Sequence, residues 1–105
     1  MAPPGGLAGS PPVRDLPETG FVLVGGRLDY LDGKHVATLV YRYRDHLVDV
    51  FVRPQATRVP AAALRTVRGF NVARAAGPAF EWVAVSDVSA DVLSAFVLRL
   101  AQEER

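Results

Sequence analysis

Tyr30 to Val48 reads YLDGKHVATLVYRYRDHLV, alternating runs punctuated by two candidate turns, Asp32-Gly33 and Arg44-Asp45. Asp-Gly is the stronger signal, because a type I′ turn needs two residues that tolerate φ > 0. A two-residue turn there sets Leu31 opposite Lys34, Tyr30 opposite His35, Leu28 opposite Ala37 and Gly26 opposite Leu39. A turn at Arg44-Asp45, chemically less ideal, sets Tyr43 opposite His46, Tyr41 opposite Val48 and Leu39 opposite Val50. A slip of one residue would invert every side chain, so both registers stand or fall on whether the faces agree across three strands. They agree. One face collects Val22, Val24, Gly26, Leu28 and Tyr30, then His35, Ala37, Leu39, Tyr41 and Tyr43, then His46, Val48, Val50 and Val52. The other mixes Arg27, Asp29, Thr38, Arg42, Asp49 and Arg53 with Phe21, Leu23, Val36, Val40, Leu47 and Phe51. The first is the core side of an antiparallel meander. The second is either covered by another element or open to a partner or a second copy.

Working outward, residues 1–20 hold five of the eight prolines and four of the nine glycines, too little apolar surface to offset chain entropy. They read as a disordered linker, and 21–105 as the domain, its ordered part ending near Gln102. After Pro54 the strand pattern breaks, and Pro60 suits the first position of a short helix from Ala61 to Thr66. A second hairpin follows, with strands near Gly69 to Ala75 and Ala79 to Val85 around Gly77-Pro78. Phe70, Val72, Val83 and Val85 share one of its faces; Ala73, Phe80, Trp82 and Ala84 share the other. Ser89 is placed as an N-cap with Asp91 in the first turn. Val92, Leu93, Phe96, Val97 and Leu100 then form one helical stripe, wide enough to pack on a sheet. Glu103 and Glu104 oppose the helix dipole and favour a frayed last turn. The expected fold is α+β: an antiparallel sheet of about five strands with a C-terminal helix on one face. Gly26, on the apolar face, leaves room for Phe96, Leu100 or an aromatic of the second hairpin, whereas Gly25 suits a bulge.

Composition excludes several function classes. A chain of 105 residues with net charge +1 has no basic field for nucleic acid. No cysteine is present, which removes disulfides, thiolate metal sites and cysteine nucleophiles. GGLAGS and VGGR match neither phosphate-binding glycine pattern. His35 and His46 fall at opposite ends of one hairpin, roughly 30 Å apart at ~3.3 Å per residue, too far to share a metal. Ser86 and Asp87 with a histidine suggest a hydrolase triad only weakly, since the G-x-S-x-G elbow is missing; a strand-to-helix turn explains them better. Asp49 near Arg42 and Asp29 near Arg53 are placed for cross-strand ion pairs. No catalytic residue, cofactor or metal is expected.

The run GFVLVGGRLDYLDGKHVATLVYRYRDHLVDVFVRP, followed by RGFNV and VAVSDVSADVLSAF, resembles the extracytoplasmic C-terminal domain of transmembrane anti-sigma factors of Gram-negative bacteria. The likeness spans nearly all of Gly20 to Leu100, and the ordered blocks LVGGRLDYLDG, GFNV and VSDV carry it. It implies a non-enzymatic regulatory domain on the periplasmic side of the inner membrane. The membrane anchor and the segment that holds the sigma factor would lie in other parts of such a protein. The chain departs from the family pattern at Arg53, where a tryptophan is common, and at Trp82-Val83, where an aromatic pair is common. Candidate ligand or partner contacts are therefore Tyr41, Tyr43 and His46 at one end of the sheet, with Arg53 and Trp82. The alternative to a regulatory domain is a small-molecule or metal sensor acting through the Tyr41, Tyr43 and His46 end.

Overall fold

The hairpin registers argued above are those of the folded chain. The computed structural model describes residues 19–31, 34–54 and 62–103. Strand β1 (Phe21–Leu31) pairs with β2 (Lys34–Tyr43) so that Leu31 faces Lys34, Leu28 faces Ala37 and Gly26 faces Leu39. Strand β3 (His46–Pro54) pairs with β2 with Tyr43 facing His46 and Leu39 facing Val50. The Asp32-Gly33 turn residues lie outside the described residues. Strands β4 (Ala62–Val67), β5 (Phe70–Ala76) and β6 (Phe80–Ser86) complete an antiparallel sheet in the order β1-β2-β3-β6-β5-β4. Helix α1 (Ala90–Gln102) packs on one face, giving the expected α+β architecture.

Strand β4 stands where the sequence predicts a short helix from Ala61 to Thr66. Arg68 and Gly69 both have positive φ, 51° and 83°, the backbone of a tight hairpin turn, and they return the chain along β5 with Val67 facing Phe70. The open hydrogen-bonding edge of β5 thus outweighs the helix propensity of an alanine-rich segment. The second hairpin keeps its predicted faces, with Ala73, Phe80, Trp82 and Ala84 buried inward.

In β1 the register shifts between Leu23 and Gly25, so the bulge expected at Gly25 is present. Its consequence corrects the predicted face. An extra residue inverts the side chains before it: Phe21 turns into the core, while Val22 and Val24 are 40 % and 47 % exposed. Gly26 also differs from expectation. It is exposed, and a Cβ there would stand 3.0 Å from Leu39 Cδ2, so the neighbouring strand takes the space rather than the helix or an aromatic.

Helix α1 buries Leu93, Phe96, Val97, Leu100 and Ala101, the predicted stripe moved slightly toward Ala101 and away from half-buried Val92. Ser89 holds the N-cap position through its carbonyl, which accepts from Leu93 N–H at 2.9 Å, without a side-chain cap bond. The helix extends to Gln102, with Glu103 as its C-cap. Arg99 Nε donates to Glu103 Oε2 at 3.0 Å, and that i,i+4 pair offsets the unfavourable dipole contact. Phe96 reaches past the strands beneath the helix to stack on Phe21 of β1, ring centroids 3.7 Å apart, and meets Tyr41 edge-on at 5.0 Å. The helix also contacts β4, at the opposite sheet edge. The sheet therefore curls around α1, and Tyr41, Trp82, Leu93 and Leu100 lie fully buried between them.

Arg68 is exposed and carries the left-handed conformation that L side chains with a Cβ adopt at a cost of about 1 kcal/mol. Replacing Arg68→Asn makes an Asn-Gly turn and should raise stability by ~0.5–1 kcal/mol, read as a higher urea midpoint with an unchanged m-value.

Candidate functional site

The second hairpin joins β3 edge to edge through β6, which leaves the mixed face of the meander uncovered by it. Coverage by that hairpin, one of two readings of this face, does not occur. The outer face of the sheet is instead a continuous surface. Strand pairing places Thr38, Phe51, Val83 and Arg74 in one row across β2, β3, β6 and β5, and Val40, Asp49, Val85 and Val72 in the next. Leu47 and Phe51 are 62 % and 36 % exposed there, and Val40, Val72, Val83 and Val85 are half-buried between their neighbours.

At one end of this face Glu81 is only 3 % exposed. It sits directly across from Arg53, whose Nε donates to its Oε1 at 2.5 Å, and Arg74 Nη2 donates to Oε2 from the other side. Burial pushes the Glu81 pKa upward; the hydrogen bonds and charges of the two guanidiniums outweigh that and hold the carboxyl below its ordinary value of 4.5. Arg74 Nε is buried without a hydrogen-bond partner, which offsets part of what the cluster contributes. Arg53 thus pairs with Glu81; the side chain of Asp29, its expected partner, lies outside the described residues. The other expected pair is absent: Arg42 and Asp49 are both exposed, and no ion pair joins them.

The opposite end of the sheet holds the segment Val85 to Val88, tied by side chains to β3 and β5. Ser86, buried, donates its hydroxyl to Leu47 O at 2.8 Å and accepts from Val88 N–H at 3.2 Å. Asp87 Oδ1 meets His46 Nδ1 at 2.8 Å, with both side chains about half exposed. Asn71 Nδ2 donates to Val88 O at 2.8 Å, and its Oδ1 accepts from Thr66 Oγ1. The GFNV and VSDV blocks therefore meet in space and lock the turn that aims α1 across the sheet. Ser86 has its proton committed to a backbone carbonyl, which suits a corner and not a nucleophile.

The candidate contacts fall in different environments. Tyr41 and Trp82 are buried in the core. Tyr43 is half-buried, stacked on Phe21 at 4.4 Å with the Arg44 guanidinium 5.4 Å from its ring centroid. His46 stands at the rim with Asp87, and Arg53 on the outer face with Glu81. Arg53 and Trp82 are on opposite faces of the sheet, so the set does not form one site. An open groove of about 420 Å3 also runs along α1, lined by Thr19, Phe21, Val92, Phe96, Arg99 and others. Among the described residues no group of three or more His, Cys, Asp or Glu could hold a metal. No helix of the described residues is long and apolar enough to cross a membrane.

Comparison with protein-family models, with curated proteins and with solved structures finds no match to this chain.

Sequence reasoning did not single out Glu81, Asn71 or the His46–Asp87 pair, because each depends on β6 lying beside β3 or on the corner that follows it. The available signal was a lone acid, Glu81, alternating with Phe80 and Trp82 on the outward side of a predicted strand.

Glu81→Gln should lower stability by ~1–3 kcal/mol at neutral pH, as expected for a lost charge-assisted pairing. The pH dependence follows from the depressed pKa: the ionised carboxylate stabilises the fold above about 4.5, and that contribution is lost as pH falls through the lower folded-state value. The melting-temperature gap between wild type and Glu81→Gln should therefore narrow as pH falls below 4.5; a gap constant down to acid unfolding would contradict the assignment.

Proposed function

We propose that this domain is a non-enzymatic regulatory module of a membrane-anchored anti-sigma factor. On this reading it faces the periplasm and passes an envelope signal to an extracytoplasmic-function sigma factor held by another part of the protein. Two observations of different kinds support the reading. The blocks LVGGRLDYLDG, GFNV and VSDV carry the family resemblance. The outer sheet face, apolar around Phe51 and Leu47 and bounded by the Arg53, Glu81 and Arg74 cluster, carries the functional inference: it is a surface for a macromolecule. Among the described residues, Ser86, Asp87 and Glu81 make structural contacts. Ser86 holds Leu47, Asp87 meets His46, and Glu81 joins two arginines. Binding, or degradation after release of a binding partner, is the chemistry left to such a domain.

A sensor that takes a small apolar ligand is the second reading, favoured by the groove along α1, whose Phe21 wall stacks directly on Tyr43. A ligand there would change the packing of a ring that also touches α1.

The two readings separate by experiment. The isolated domain should not bind extracytoplasmic-function sigma factors in a titration; tight binding would overturn the proposed arrangement. Phe51→Asp, introduced into the full-length regulator, should leave the fold intact and change sigma-dependent transcription several-fold; an unaltered reporter would count against the outer face. The sensor reading requires a thermal shift with periplasmic metabolites, worth ~2.7 kcal/mol at 100-fold the dissociation constant.

A further inference from the structure

Four side chains on the outer face form a small square. Arg42 lies directly across from Leu47, and Val40 directly across from Asp49. One diagonal of the square therefore carries opposite charges and the other carries two aliphatic groups. Diagonal neighbours of this kind have backbone positions ~7–8 Å apart. Arg42 and Asp49 are exposed and stay unpaired, while Leu47 is the most exposed of the large hydrophobic residues described, at 62 %. Asp49 is moreover a lone carboxylate whose register neighbours on the face are Val40, Leu47, Phe51 and Val85. With the two side chains apart as they stand, a partner that covers this part of the sheet and buries those apolar groups is matched best if it brings a cation to Asp49 and an anion to Arg42.

We propose that a second copy of this chain does so, in a two-fold, sheet-on-sheet dimer whose axis lies between the sheets along the Val40–Leu47 diagonal. A two-fold interface is self-complementary: if residue i meets residue j of the partner, j meets i. Rotation about that diagonal sets Arg42 over the partner's Asp49 and Asp49 over the partner's Arg42. Val40 and Leu47, close to the axis, meet their own equivalents in the partner subunit. One operation thus neutralises both charges and buries both aliphatic groups, at the ~10 Å spacing of packed sheets. A helix or loop of an unrelated protein would have to supply this pattern of charge and apolar groups independently. The inference rests on the outer face alone and does not depend on the anti-sigma reading.

The experiment uses the whole chain. Sedimentation equilibrium over roughly 1 to 500 μM, the range in which a small interface associates, should show a monomer–dimer equilibrium. Arg42→Asp and Asp49→Arg, each placing like charges face to face, should weaken it at least about tenfold. The double variant Arg42→Asp/Asp49→Arg should restore dimerisation, and so should an equimolar mixture of the two single variants. Because the chain has no cysteine, Leu47→Cys introduces the only thiol. A short bismaleimide, able to span the gap between packed sheets, should then join two such chains covalently, whereas Leu98→Cys, exposed on the helix side, should not be joined. Circular dichroism of every variant checks the fold. A chain that stays monomeric throughout, a dimer indifferent to the charge exchanges, or Leu47→Cys that fails to cross-link faster than Leu98→Cys would each overturn the proposal.

Discussion

One helix has to cover the inner face of six strands. Adjacent strands stand ~4.8 Å apart and a helix with its side chains is ~10 Å wide, so a flat sheet of this size would leave its outer strands bare. The sheet resolves the conflict by curling. Phe96 projects from α1 to stack on Phe21 at the start of β1, while the same helix contacts β4 at the other edge. The bulge between Leu23 and Gly25 makes this possible, because it turns Phe21 inward and lets the beginning of β1 bend toward the helix. Beyond the bulge, Leu28 is 47 % exposed on the inner side.

With the one helix of the described residues on the inner face, no described element is left for the outer one. This asymmetry organises the distribution of polar groups. Glu81 is buried on the outer side only because guanidiniums from β3 and β5 close over it, and Arg42 and Asp49 remain uncompensated among aliphatic side chains. At the other end, Ser86, Asp87 and Val88 link β6 to β3 and β5 and set the direction in which α1 leaves the sheet. The residues that look most like chemistry in the sequence are the ones that hold this corner.

How much was legible follows from how local each feature is. The β1–β2–β3 registers were readable because two short turns and a period-two pattern specify them within neighbouring residues, and a wrong register would have exposed the core. The stripe from Leu93 to Leu100 was readable for the same reason at the helical period. The inversion of Phe21 and Leu23 was not. A bulge was indicated by Gly25, but whether side chains before it point in or out depends on Phe96 waiting across the sheet. Strand β4 was missed because alanine-rich residues near Pro60 favour a helix locally, and only the unpaired edge of β5 draws them into a strand.

The amino-acid sequence by itself therefore determined the meander, the second hairpin, the helix and the apolar character of both sheet faces, since each is set by turns and periodicities a few residues long. The tertiary structure alone decided that β6 lies against β3. That pairing bridges about thirty residues and is chosen by burial of Trp82 and the valines of β3 against the helix, not by any local preference. It also decided what depends on it: the two arginines around Glu81, the His46–Asp87 contact, and an outer face that no described element covers.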